Sequence, residues 1–153
     1  MKNRDFKTFE KKINYKFKDI NLLVNALTHK TYAFEAQEPV EYNERLELLG
    51  DSILGFVVAE QLYKSNKYFS EGELTRRRAM FVNNNFLAKR AIELKLGDFI
   101  LLGVGETKQN GDKNPTNLAN ALEALIGAVY LDSNLENVRT FILNSVFSKE
   151  IQF

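Results

Sequence analysis

Apolar positions repeat at intervals of three and four residues over most of the chain, which is the spacing of α-helices. In the longest such stretch, residues 41–64, they occupy more than one stripe, which predicts a central helix buried on most sides. Residues suited to cap or open a helix precede the other apolar stretches: Asp19, Ser70 with Glu73, Asn84 or Asn85, Asn114 before Pro115, and Ser133 with Glu136. The pattern therefore predicts an all-α protein of six to eight helices.

Between these stretches the chain contains segments without helical periodicity. Residues 5–13 predict a short first helix, whereas residues 28–31 break the pattern and residues 35–40 are predicted to form a loop. The helix that begins at Asn84 or Asn85 is predicted to run through Leu94, with Gly97 as its stop. Residues 103–114 are rich enough in Gly, Asn, Lys and Asp to predict an exposed loop.

The composition narrows the class of protein. With 153 residues, 44% of them hydrophobic and 27% charged, we expect one globular domain over residues 1–153. Cys is absent and His occurs once, which excludes disulfides, thiolate metal sites and His-rich zinc sites. No apolar run approaches the roughly 18 residues of a membrane span, and the N-terminus lacks an apolar signal core, so we expect a soluble, cytoplasmic protein.

The net charge of +1 conceals a dense acidic segment. Residues 35–60 contain seven acidic residues and one basic residue. Glu44, Glu47 and Asp51 are spaced three and four apart, which places them on one helix face beside apolar positions. Hard oxygen ligands at this density suit Mg²⁺ or Mn²⁺, although an acidic run is also a common solvated helix face.

A further acidic residue interrupts an apolar helix. Glu123 lies within the apolar stretch 115–131 and shares a face with Asn120, three residues before it. A buried carboxylate is rarely left alone, so Glu123 is expected either to ligate a metal or to pair with an arginine of residues 76–78. Periodicity and charge leave both possibilities open.

Residues 43–54, with the sequence NERLELLGDSIL, resemble the signature of ribonuclease III. Four further segments match the same family in order and spacing, and together they extend the resemblance over about residues 10–148. They are residues 27–31, 71–76, 82–84 and 118–128. The resemblance implies a dimeric, all-helical nuclease domain that cleaves double-stranded RNA with Mg²⁺, which Mn²⁺ can replace, leaving 5′-phosphate and 3′-hydroxyl ends.

Site residues follow from the resemblance position by position. It assigns Glu47, Asp51 and Glu123 to metal-binding carboxylates, with Glu123 most closely tied to catalysis. Glu44 becomes an accessory acid, and Glu71 matches a residue near the scissile strand.

Two positions depart from the family pattern. The family usually has Asp where this chain has Asn120, whose carbonyl can still ligate a metal but carries no charge, so weaker Mg²⁺ binding and reduced cleavage are expected. The family commonly has an aromatic residue at the position of Leu48, where it plugs a pocket of the partner subunit, so we expect a dimer that packs less tightly there.

RNA contacts are expected through phosphates. The candidates are Arg76, Arg77, Arg78, Lys108 and Lys113. The family's usual double-stranded-RNA-binding domain would begin where the chain ends.

Two rival interpretations are a module of the same fold that binds RNA without cleaving it and a metal-dependent hydrolase of small phosphate esters.

Overall fold

The computed structural model describes residues 5–147 and confirms the all-α prediction. Within that range it contains nine α-helices, one more than the upper limit of the predicted six to eight, and no strand. The helices are α1 (Phe6–Ile13), α2 (Ile20–Leu27), α3 (Lys30–Glu35), α4 (Glu44–Ser65), α5 (Glu71–Val82), α6 (Asn84–Glu93), α7 (Val104–Lys108), α8 (Pro115–Asp132) and α9 (Leu135–Phe141). The first four and last six residues of the predicted domain 1–153 lie outside the described residues. None of the described helices combines the length and apolar content that crossing a membrane requires.

The centre of the fold is α8 packed against α4. Of the 18 residues of α8, 12 are buried, among them Leu122, Leu125 and Ile126. The prediction that α4 is the helix buried on most sides is therefore wrong, because only seven of its 22 residues are buried. One side of α4 packs on α8, while its other side carries charged residues and exposed apolar ones.

Short polar side chains begin several helices as predicted. Asp19 accepts a hydrogen bond from Asn21 N–H at the start of α2, and Ser70 forms a reciprocal capping box with Glu73 at the start of α5. The side chain of Asn114 caps α8, with Pro115 in the first turn.

The predicted caps of two helices are wrong by one residue. Asn83, not Asn84 or Asn85, caps α6 by accepting from Phe86 N–H. Asn134 caps α9, because the hydroxyl of the predicted cap Ser133 donates instead to a carbonyl of the preceding helix.

Two short helices form where none was predicted. The six residues of α3 and the five of α7 occupy stretches predicted as a break and a loop. Helix α6 ends at Glu93, within one residue of the predicted Leu94, and the chain turns at Lys95, before Gly97, with a φ of 53°.

Backbone hydrogen bonds between three segments fix the start of α4. His29 N–H donates to Leu101 O, and Leu101 N–H donates to Leu27 O. Thr28 O accepts from Asn43 N–H, and Asn43 directly precedes α4. The first turn of α4 is therefore tied to both α2 and the segment that leads into α7.

Candidate active site at the crossing of two helices

Two glycines let α4 and α8 cross with their backbones in contact. A Cβ atom on Gly50 would lie 1.7 Å from the carbonyl oxygen of Glu123, and a Cβ on Gly127 would lie 2.4 Å from that of Leu46. Any side chain at either position would push the helices apart. The contact brings the first turns of α4 directly beside the middle of α8.

The crossing gathers acidic side chains that are distant in sequence. Glu47 and Asp51 of α4 lie near enough to Glu123 of α8 for their charges to act on its carboxyl group. Their exposure is graded, since Glu123 is 7% exposed, Glu47 is half-buried and Asp51 faces solvent. Asn120, half-buried, lies one turn before Glu123 on α8.

The Glu123 carboxyl is unfavourably placed for a charge. Burial raises its pKa to about 8, with further contributions from the negative charges of Asp51 and Glu47. Among residues 5–147 it forms neither an ion pair nor a hydrogen bond. The alternative in which an arginine of residues 76–78 neutralises Glu123 is therefore wrong.

Glu47 and Glu44, the acidic residues in the first turn of α4, have different environments. Burial raises the pKa of the Glu47 carboxyl, and the charge of Glu44 adds to the rise. Glu44 itself forms an ion pair with Lys30 of α3, at 3.0 Å between Nζ and Oε1. Sequence periodicity could not identify Lys30 as a member of this group, because helix α3 was not predicted.

The oxygen atoms of the acidic group suit a hard divalent cation, although these side chains do not already surround a metal position. Among the described residues, no three His, Cys, Asp or Glu side chains are grouped as a preformed metal site. The acidic group nevertheless offers carboxylate oxygens and, at Asn120, an amide oxygen, the ligand types that Mg²⁺ prefers. A buried carboxyl without a cationic partner is the feature that a bound cation would relieve.

The other predicted residues do not join this group. Glu71 and Arg78 line a groove of about 440 Å³ beside Glu60 and Tyr63, near the far end of α4. Glu60 lies about 20 Å along the helix from Glu47 at the α-helical rise per residue. Within one chain, Glu71 is therefore remote from the acidic cluster.

The predicted cationic residues are exposed. Arg76, Arg77 and Arg78 project from α5, a helix with no buried residue, and the Arg77 guanidinium lies over the Phe69 ring at 4.1 Å. Lys108 ends α7, and Lys113 lies two residues before α8. Both lysines therefore belong to the segment that leads into the acidic site.

Leu48 points away from the core, with 72% of its surface exposed. Its neighbour in sequence, Leu49, lines a groove of about 670 Å³. The lining combines the leucines Leu22, Leu46, Leu49 and Leu131 with the charged residues Glu41, Glu44 and Arg45. The same turn of α4 therefore contributes an exposed leucine and one wall of a partly apolar groove.

The model of the family described as Ribonuclease-III-like matches residues 19–150, which contain both sides of the crossing. The chain belongs to the ribonuclease III-like family. Two segments of the family resemblance, residues 43–54 and 118–128, supply the two helices that meet at the acidic cluster.

Curated ribonuclease III relatives align with most of the chain. Ribonuclease 3 of Caldanaerobacter subterraneus subsp. tengcongensis is 48% identical over 135 residues, which are 88% of this chain and 59% of that protein. Ribonuclease 3 of Fusobacterium nucleatum is 46% identical over 138 residues, or 90% of this chain and 59% of the relative. The chain thus spans about three-fifths of the length of these relatives.

Solved ribonuclease III structures share the fold. The nuclease domain of ribonuclease III from Campylobacter jejuni superposes with a TM-score of 0.88 at 41% identity, covering 100% of this chain and 99% of that one. A second structure of that domain, described with a flexible region involved in dimer formation, gives 0.88 at 40% identity and covers 95% and 99%. The prediction of a ribonuclease III helical fold is confirmed.

Proposed function

We propose that residues 1–153 form a nuclease domain that hydrolyses phosphodiester bonds of double-stranded RNA in the cytoplasm, with Mg²⁺ as cofactor. The observation that carries the proposal is the buried Glu123 carboxyl, which has no cationic partner among residues 5–147 and lies beside the carboxylates of Glu47 and Asp51. Such a cluster would repel a phosphate unless a cation reversed the local charge.

Glu47, Asp51, Asn120 and Glu123 would hold the ion. When bound, a divalent cation activates a water for attack and neutralises the phosphate oxygens. Mn²⁺, which accepts the same oxygen ligands, is expected to substitute for Mg²⁺. The oxygen of the attacking water would bond to phosphorus while the bond from phosphorus to the 3′ oxygen breaks; the 3′ oxygen leaves as a hydroxyl, so the products have 5′-phosphate and 3′-hydroxyl ends.

The chain's residues have distinct parts in this chemistry. Burial, with the negative charges of Asp51 and Glu47, raises the pKa of Glu123 to about 8, so its carboxyl carries a proton at neutral pH in the ion-free protein and would release it when a cation binds. Asp51 is at the exposed side of the cluster, where a phosphate would arrive. Glu44, paired with Lys30, acts as an accessory acid that keeps Lys30 beside the acidic cluster.

Histidine chemistry is not needed for this reaction. His29 caps α3, where its ring nitrogen Nδ1 lies 2.8 Å from the Thr31 hydroxyl. This position supports a structural role for the one histidine of the chain.

Asn120 is expected to limit the rate. An amide oxygen can ligate the ion, but it contributes no negative charge where the family usually has a carboxylate. We therefore expect Asn120→Asp to tighten Mg²⁺ binding by roughly tenfold, about the value of one charge-assisted interaction. Cleavage of duplex RNA should accelerate in parallel, and a variant no faster than the parent protein would contradict the assignment.

A homodimer would pair Leu48 of each copy with the groove of the other. A two-fold interface uses the same patch on both copies, so an exposed side chain beside a groove can be exchanged reciprocally. The dimer formation named for the Campylobacter jejuni nuclease domain supports self-association of this chain. RNA phosphates would then contact Arg76, Arg77, Arg78, Lys108 and Lys113, and Glu71 would lie near the scissile strand through the partner copy.

The decisive experiment incubates the protein with end-labelled duplex RNA and either Mg²⁺ or Mn²⁺. Products that carry 5′-phosphates and disappear with Glu123→Gln support the nuclease. Duplex binding without product in either metal, also after Asn120→Asp, favours the non-cleaving RNA-binding module. Turnover of a nucleotide with no effect on duplex RNA favours the hydrolase of small phosphate esters.

A further inference from the structure

The segment that runs from Gly103 through α7 to the start of α8 is held at its beginning by α3. Thr31 Oγ1 accepts a hydrogen bond from Gly103 N–H at 3.1 Å, and Glu35 Oε2 accepts one from Val104 N–H at 2.7 Å. Gly103 is buried at this junction, where an added Cβ would lie 2.4 Å from Glu35 Oε1. We call residues 103–114 the basic loop after Lys108 and Lys113, although Glu106 and Asp112 in the same segment balance their formal charge.

A single side chain of α8 holds the other end of the basic loop. Asn117 Nδ2 donates to Glu106 Oε1 at 2.7 Å and to Gly111 O at 3.1 Å. Glu106 also packs over Gly111, where an added Cβ would lie 2.5 Å from its Cγ. Asn117 therefore joins α7, the turn after it and α8 through one amide group.

The position of Asn117 links the basic loop to the acidic cluster. Asn117 lies in the first turn of α8, one turn before Asn120 and about 4.5 Å from it along the axis. The lysines are exposed and form no ion pair with any residue in the range 5–147. The loop thus presents two exposed lysines without an ion-pair partner among residues 5–147, at a place fixed relative to the helix that carries the cluster.

We propose that Asn117 is a positioning residue that fixes Lys108 and Lys113 for contact with RNA phosphates while the adjacent phosphate meets the acidic cluster. The inference rests on the proposed function and adds to it a residue that touches neither RNA nor metal. Asparagine suits the role because its two amide hydrogens serve two acceptors at once, a carboxylate and a carbonyl.

The chemistry predicts how substitutions at Asn117 behave. Asn117→Asp replaces the donor with an acceptor and places two carboxylates face to face, which releases the loop from α8. Adding Glu106→Gln restores one hydrogen bond with its direction reversed, because the Gln amide can donate to the new carboxylate. Asn110→Asp is the matched control, since Asn110 is exposed in the same loop and adds the same charge without breaking a side-chain hydrogen bond.

The test uses the full chain with Asn120→Asp as the parent, and measures binding and cleavage of a short synthetic RNA duplex across a range of salt concentrations. We expect Asn117→Asp to raise Kd about tenfold beyond the Asn110→Asp control. It should also reduce the slope of log K against log salt by about one to two, the value of two lost phosphate contacts. Glu106→Gln in the same chain should return both to within about threefold of the parent.

Hydrogen exchange of residues 103–114 gives a second readout that does not need RNA. Exchange should quicken with Asn117→Asp and slow again in the double variant. Equal binding by the parent and Asn117→Asp, or a loop that Glu106→Gln fails to restore in a folded protein, would overturn the proposal. A parent that neither binds nor cleaves the duplex would instead overturn the proposed function, and this inference with it.

Discussion

Replacing Glu123 by glutamine removes a buried acid that the folded, ion-free protein holds mainly in its protonated form at neutral pH. The carboxyl titrates near pH 4.5 in the unfolded chain and near 8 in the folded one. Because the folded pKa is the higher, the folded state binds more protons between these values. The contribution of the Glu123 carboxyl to the free energy of unfolding is therefore full below about pH 4.5 and is lost as the pH rises through 8.

The size of the effect follows from the same two values. Each unit of difference in pKa is about 1.4 kcal/mol, so the loss reaches about 3 kcal/mol at pH 7 and approaches about 5 kcal/mol above pH 8. These are order-of-magnitude figures for a carboxyl that is 7% exposed. Glutamine cannot ionise, so Glu123→Gln should abolish this part of the pH dependence.

The assay is urea unfolding in EDTA between pH 5 and 9, at one protein concentration, for the parent and Glu123→Gln. Subtracting the two profiles cancels the titration of groups common to both, including His29, whose pKa burial lowers. We expect the variant to gain on the parent steadily as the pH rises. A difference that stays constant within about 1 kcal/mol across this range would refute the placement of an uncompensated acid at the crossing.

Three further predictions address the metal, the dimer and the crossing. Binding of Mg²⁺ at pH 7 should release roughly one proton per site, which calorimetry in buffers of different ionisation enthalpy measures. Proton release that persists in Glu123→Gln would contradict Glu123 as the source of that proton. Leu48→Ala should weaken self-association roughly thousandfold in sedimentation, at about 2 kcal/mol for each of two equivalent contacts, whereas Ile92→Ala, at another exposed aliphatic residue (58% against 72% for Leu48), should have no effect. Gly50→Ala should cost about 3 kcal/mol or more in thermal unfolding, because its Cβ would meet a backbone oxygen. Gly55→Ala on the same helix, with nothing within 4 Å, should instead stabilise by about 0.5–1 kcal/mol.

Local chemistry explains which parts of the fold could be predicted from the sequence. The capping box at Ser70 and the Asn114-Pro115 start depend on neighbouring residues alone, and both formed as predicted. Helices α3 and α7 were missed because six and five residues are too few to show a periodicity. Both gain support from outside their own sequence, through the bonds between α3 and the start of α7.

For the candidate site too, relations within one helix could be predicted from the sequence, whereas contacts between separate helices could not be predicted from spacing. Spacing placed Glu47 and Asp51 on one face of a helix, because helical geometry relates residues three and four apart. No spacing relates them to Glu123, and the family resemblance was needed to predict that the two segments meet. Lys30 and Asn117 were missed because their partners, Glu44 and Glu106, lie on other helices.

The paired glycine contacts also restrict how the two central helices can slide. Gly50 faces a carbonyl of α8 while Gly127 faces a carbonyl of α4, so both contacts must be satisfied together. Displacing either helix by one turn would bring bulkier residues against the opposing main chain. Partial docking of α4 on α8 is thus penalised, and the spacing between the carboxylates is established in an all-or-none step as the molecule folds.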